Sequence, residues 1–160
     1  MTVYVIEGVD GTGKSTLADR LAAETSGVVL HISFKPEWNI HLYHLRTMEY
    51  AQALSAIGID VILDRWALSE YVYGTVFRAG PSYDTEHAMH AYNVRWIYCR
   101  NDNAVENHVK NREERYEMFD DVADAFSLYE AYIQASDLDW SVFDFNEVVT
   151  DDFVEELLGG

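Results

Sequence analysis

A parallel β-sheet covered by helices is the fold class this sequence predicts, and two observations carry the prediction. Five short apolar runs recur along the chain, and most of the stretches between them are long enough for crossover helices. The runs are continuously apolar rather than alternating, which suits strands covered on both faces. At 160 residues the chain fits one domain, residues 1–160, large enough to bury a sizeable core.

The elements follow in order. The first strand is TVYVIE (2–7), followed by a helical pattern at about 14–25 with Leu17, Ala18, Leu21 and Ala22 on one face. The second strand is GVVLHIS (27–33), with a helix at about 40–57; the third is DVILD (60–64), with a helix at about 67–78. Gly80-Pro81-Ser82 reads as a loop within the domain. VRWIYCR (94–100) is the fourth strand, with helices at about 102–112 and 119–136, and WSVFDF (140–145) is the fifth. A short helix at 151–158 closes the series, with Thr150 as its N-cap.

The residues from Gly8 to Ser15, GVDGTGKS, satisfy the pattern G-x-x-x-x-G-K-[ST]. Gly8, Gly11 and Gly13 permit backbone conformations that turn successive N–H groups inward. The helix that follows adds its positive end, so Asp10, Thr12 and Thr16 complete a cradle for a polyphosphate. Lys14 neutralises the outer phosphate oxygens and the Ser15 hydroxyl ligates Mg²⁺. The pattern arises by chance in roughly one chain in a hundred of this length or fewer. Here it also begins at a strand end and opens a helix, the context such a loop requires.

Asp64 and Arg65 end the third apolar run. A carboxylate there lies beside the phosphate loop, where it can bind Mg²⁺; a surface ion pair is the alternative. Together, IEGVDGTGKST, DRWALSEYVYG (64–74) and NREERYEMFDD (111–121) resemble the thymidylate kinase group of P-loop nucleotide kinases, including short phage-type deoxynucleotide kinases. The resemblance implies a three-layer P-loop NTPase fold with strand order 2-3-1-4-5, ATP and Mg²⁺ as cofactors, and a homodimer. It also implies that Asp10 approaches the acceptor sugar hydroxyl and that Arg65 holds the acceptor phosphate. Gly11 stands where some thymidylate kinases carry a catalytic arginine. A lid around 108–120 is then the source of that charge, with Arg112 and Arg115 acting jointly.

Twenty-eight acidic against eleven basic residues give a net charge of −17, which argues against long nucleic acid and anionic membranes as partners. The cations gather at one predicted edge. Lys14, Lys35, Arg65 and Arg100 lie at or after strand C-termini, and Lys110, Arg112 and Arg115 fall in the lid. Trp38, Tyr43, Trp66, Tyr71 and Tyr73 surround the expected acceptor pocket, where any one could stack on a base, with packing the better single reading of each. Trp38, Tyr43 and Tyr73 with Lys35 are its candidate binding residues, and Arg46 and Arg78 are further candidates whose alternative is a solvated helix surface. His41/His44 and His87/His90 lack the partners of a zinc site. Cys99 reads as a packed core thiol, and with no secretory signal the expected location is the cytoplasm.

The expected reaction is ATP-dependent phosphoryl transfer to a deoxynucleoside monophosphate, dTMP first. A deoxynucleoside kinase is the nearest rival, but such enzymes carry a Glu-Pro step followed by Trp after the second strand. Here the segment is Phe34-Lys35-Pro36-Glu37-Trp38, so a lysine replaces the base at the matching position and suits an acceptor phosphate, with Glu37 left as a displaced base in the rival reading. A kinase acting on DNA is disfavoured by the charge. A guanine-nucleotide switch is disfavoured because 101–104 reads NDNA rather than Asn-Lys-x-Asp.

Overall fold

The computed structural model describes residues 1–9, 12–101, 119–144 and 150–159. Five strands form one all-parallel sheet: β1 (Val3–Glu7), β2 (Val28–His31), β3 (Val61–Asp64), β4 (Arg95–Arg100) and β5 (Trp140–Asp144), in spatial order β2-β3-β1-β4-β5. The helices are α1 (Lys14–Thr25), α2 (Ile40–Ala56), α3 (Ala67–Phe77), α4 (Thr85–His90), α5 (Phe119–Ala135) and α6 (Thr150–Gly159). This is the three-layer arrangement and strand order that the sequence resemblance implied.

Alternation along β1 divides the core. Val3 and Val5 face one layer with Met48, Leu63, Trp66, Leu68, Val72, Met89 and Tyr129. Tyr4 and Ile6 face the other with Leu17, Ala18, Leu21, Phe143, Val154 and Leu157. Thus α2 to α5 cover one face, and α1 and α6 cover the other. All five residues of β1 and all four of β3 are buried, as continuous apolarity predicts for central strands. The two outer strands depart from that expectation. Val28 of β2 is 39% exposed and Val142 of β5 is 45% exposed, because an outer strand has a neighbour on one side only.

Two further differences concern helices. The six-residue α4 was not among the expected helices; Asp84 starts it by accepting the His87 amide at 3.0 Å. Thr150 is the first residue of α6 rather than its cap. The helix expected at 102–112 lies outside the described residues, as does the lid at 108–120 up to residue 118, with 119–120 opening α5.

Candidate functional site

The parallel register brings strand C-termini together at one edge. Ile6 of β1 pairs with Asp64 of β3, and His31 of β2 pairs with the same Asp64. The chain leaves β1 through Gly8, whose φ of 145° lies outside the usual range of L-residues. A Cβ there would stand 2.3 Å from the Cys99 carbonyl oxygen, so only glycine lets the loop pass this close to β4. Gly13 is also left-handed, at φ 80°, and begins α1 without a side-chain cap, leaving the amides of the first turn turned toward the loop.

Within this turn the Thr12 hydroxyl donates to the Val9 carbonyl at 2.7 Å, and Lys14 Nζ donates to the same oxygen at 3.2 Å. Lys14 is 7% exposed, so its charge is carried beneath the loop rather than in solvent. Ser15 and Thr16 lie exposed at the start of α1. Asp10 and Gly11 fall outside the described residues. Cys99 is fully buried, as expected of a core thiol. Burial pushes it up to about 12, with the Lys14 charge partly opposing and the Asp64 charge adding to the effect.

Asp64 is buried at the end of β3. Its Oδ2 meets His31 Nδ1 at 2.9 Å, and its Oδ1 has no hydrogen-bond partner among the described residues. A buried carboxylate oxygen without a donor is costly unless a cation takes it. Together with the Ser15 hydroxyl of the phosphate loop, this donor set is of the kind that fits Mg²⁺, a hard cation that prefers oxygen ligands. His31 was not among the expected site residues. Its place opposite Asp64 follows from strand register, which sequence pattern alone does not supply.

Arg65 follows Asp64 with φ 75°. Its amide donates to the Ile6 carbonyl at 2.9 Å, and its guanidinium stands 5.2 Å from the Tyr73 ring centre. Glu7, also missed, lies next to it. Its carboxylate is fully buried and accepts the Trp66 amide at 3.1 Å, the Ser69 amide at 3.2 Å and the Ser69 hydroxyl at 2.5 Å. Burial holds the Glu7 carboxyl above the ordinary carboxylate range, with Ser69 and Arg65 opposing.

The remaining candidates separate into groups. Lys35 Nζ stands 5.5 Å over the Trp38 ring, which packs edge-on against Tyr43, and the Tyr43 hydroxyl accepts the Ser33 amide at 3.1 Å. These residues therefore order the β2–α2 connection. Of these, Trp38 lines a cavity of about 230 Å³, together with Phe34, His41, Arg78 and Ser82. Arg78 stacks on Phe34 at 4.8 Å and donates to the buried Glu70, which also accepts the Ser82 amide. A larger groove of about 520 Å³ runs along β5 and α6, but Asp144, Asp152 and Glu156 line it and would repel phosphates.

Several candidate positions take the packing or pairing roles that are their alternatives, while Arg100 stays at the end of β4. Trp66 is 1% exposed and part of the core, because its indole donates to the His44 carbonyl and packs against Trp96. Tyr71 packs against Tyr132. Arg46 pairs with Glu49 on the surface of α2, and Arg100 is drawn to Glu130 at 3.0 Å on α5. Arg112, Arg115 and Lys110 lie outside the described residues.

The histidine pairs also separate. His41 stacks on Tyr83, while His44 is buried and shares a 2.6 Å hydrogen bond with the Tyr83 hydroxyl. His90 bridges Glu86 and Asp137 in an exposed cluster.

Burial holds the His44 imidazole down to about 4, with Glu70 partly opposing. The unfolded chain takes up this proton near 6.5 and the folded chain only near 4, so the contribution is fully present above 6.5 and is lost as pH falls toward 4. The loss is roughly 3 kcal/mol. Denaturant titrations at pH 7 and pH 4.5 are expected to show a smaller acid loss for His44→Asn than for wild type. Equal losses would remove His44 as the cause.

No family model matches the chain. It is 26% identical over 83 residues to the "Putative thymidylate kinase" of Acidianus bottle-shaped virus (isolate Italy/Pozzuoli). That match covers 51% of this chain and 53% of the viral protein, so it spans about half the length of the curated relative. Among solved structures, the YorR protein from Bacillus subtilis in complex with phosphorylated GDP superposes with a TM-score of 0.72 at 21% identity, over 99% of this chain and 94% of that one. The deoxyadenosine kinase from M. mycoides with products dCMP and dCDP gives 0.61 at 15% identity, over 99% and 97%. At these identities the structural likeness speaks to fold, and the chain has the fold of P-loop kinases.

Proposed function

We propose that this chain transfers the γ-phosphoryl group of ATP to a deoxynucleoside monophosphate, dTMP first among them. One observation carries the reading. The buried Lys14, the carboxylate oxygen of Asp64 that has no partner among the described residues, and Arg65 lie at or after two neighbouring strand ends. A donor polyphosphate, a cation and an acceptor phosphate can therefore meet at one edge. The similarity to a viral protein named as a thymidylate kinase supports it.

In this reading Gly8, Thr12, Gly13 and Thr16 cradle the donor phosphates and Lys14 balances their charge. Ser15 and Asp64 hold Mg²⁺. When bound, that ion neutralises charge on the transferring phosphoryl group. Arg65 and Lys35 hold the acceptor phosphate. Its attacking oxygen is already anionic near neutral pH, so positioning rather than proton abstraction governs the rate. Tyr73 supports the Arg65 guanidinium, while Trp38 and Tyr43 shape the base side. The cavity beneath Arg78 takes the base, and a guanidinium offering only donors suits the carbonyl oxygens of thymine. Asp10 at the sugar hydroxyl, Gly11 in the loop, and Arg112 with Arg115 in a closing lid complete the proposal on sequence alone. The reading also carries a homodimer and a cytoplasmic location as expectations.

The test is an acceptor screen with Mg-ATP against deoxynucleosides, their monophosphates and oligonucleotides. Phosphorylation of monophosphates is the expected result. Exclusive phosphorylation of nucleosides would establish the rival kinase class, which the likeness to deoxyadenosine kinase favours. Arg65→Ala is expected to lower kcat/KM for the acceptor roughly a hundredfold, mainly through KM, with the KM for ATP little changed. Loss of ATP affinity with acceptor KM intact would contradict the role of Arg65.

A further inference from the structure

We propose that Glu7 is a positioning residue that fixes the β3–α3 turn and so sets the direction in which Arg65 presents its guanidinium. The role rests on the proposed function only in what Arg65 finally binds. The geometry of the turn is independent of it.

Three observations converge on Glu7. First, Trp66 stands at the N-cap of α3 and its side chain makes no capping hydrogen bond. The leading amides of the helix need an acceptor, and the acceptor comes from another strand: Glu7 Oε2 receives both the Trp66 and Ser69 amides. Second, Glu7 Oε1 receives the Ser69 hydroxyl, which is itself 2.8 Å from the Tyr129 hydroxyl of α5, so the carboxylate is held on both oxygens. Third, Arg65 sits between two anchors on β1. Its own amide is bound to the Ile6 carbonyl, and the amide of the next residue is bound to Glu7.

The left-handed φ of Arg65 gives this arrangement its purpose. An arginine at φ 75° is strained and persists only where the surroundings over-determine it. Without Glu7, the Trp66 amide would lose its acceptor and Arg65 could relax to an ordinary backbone conformation, swinging its side chain away from Tyr73. Glu7 also directly precedes Gly8. One residue thus joins the phosphate loop to the arginine, and the spacing between donor and acceptor phosphates is set by the rigid end of β1. A buried acid at this place is otherwise expensive, since burial disfavours its charge.

The test compares Glu7→Ala, Glu7→Gln and Ser69→Ala, alone and with Arg65→Ala, in steady-state kinetics and in NMR of the ligand-free protein. The NMR probe is the Arg65 Nε–H resonance, assigned by its loss in Arg65→Lys. Glu7→Ala is expected to raise the acceptor KM roughly 10- to 100-fold with the KM for ATP within about threefold, and to move the Arg65 resonance to the position of an exposed arginine. Adding Glu7→Ala to Arg65→Ala should cost nothing further. Glu7→Gln keeps a carbonyl for the two amides and a donor for the Ser69 hydroxyl, so it should restore both readouts to near wild type.

Should Glu7→Ala fail to fold, Ser69→Ala removes only one of the three bonds and must shift the same resonance by a smaller amount. An unmoved resonance in either variant would overturn the proposal and leave Glu7 as a helix cap only. A folded Glu7→Gln as impaired as Glu7→Ala would overturn it too, since charge rather than turn geometry would then be at work. If Arg65→Ala alone left acceptor KM unchanged, the acceptor role of Arg65 would fall, and the resonance would still decide the role of Glu7.

Discussion

Lys14→Ala is expected to lower kcat by roughly a thousandfold or more while leaving the protein folded. Lys14 opens α1 but contributes little to the core, which on that helix is built by Leu17, Ala18 and Leu21. Its ammonium donates to the Val9 carbonyl at 3.2 Å and is nearly removed from water, so the charge acts at reduced dielectric on anything held in the loop. Truncation leaves the glycine-bearing backbone in place but takes away the cation that balances the donor's outer phosphates. The measurement is turnover with Mg-ATP and the best acceptor, alongside a thermal melt. Activity near wild type in the folded variant would show that the site has been misplaced.

The second large effect is expected at Asp64, where activity and stability should move apart. Asp64→Asn is expected to reduce kcat roughly a hundredfold or more and to raise the Mg²⁺ concentration needed for half-maximal rate. The same change should leave the melting temperature unchanged or higher. The wild-type Oδ1 is buried without a donor among the described residues, a cost of about 1–3 kcal/mol that a neutral amide lessens. The bond to His31 can survive, because the amide can still pair with either tautomer of the ring. A Mg²⁺ dependence identical to wild type would show that Asp64 is not a ligand. A large fall in melting temperature would show that its carboxylate has a structural partner instead.

What the sequence made legible was local. The phosphate loop is a contiguous pattern whose residues act on one another within a single turn, and α1 spans the residues expected of it. Strand positions were clear because a central strand needs apolar residues on both faces; β1 and β3 meet that demand fully. The outer strands were read as more covered than they are, since pattern does not reveal where a sheet stops. Short α4 escaped because six residues are too few to show helical periodicity, and Asp84 was its one clear signal.

The candidate site was legible where one strand end sufficed and hidden where two were needed. Asp64 and Arg65 could be read from the third apolar run. His31 and Glu7 could not, because each gains its meaning from a partner more than thirty residues away. An acid terminating an otherwise buried strand was the available signal for Glu7. Trp66 follows Arg65 in sequence but turns into the core, in keeping with the packing alternative for the aromatics, and its indole finds the His44 carbonyl.

The layer beneath the sheet has a bearing on how the protein is made. Helix α1, which carries Lys14, is backed by Val154 and Leu157 of α6, and Arg20 reaches Asp151 at 2.6 Å. The ribosome delivers the phosphate loop some 130 residues before its supporting helix, α6. A nascent polypeptide therefore carries the whole nucleotide motif long before it has the buttress for it, and a competent cradle is completed only as synthesis passes Leu157.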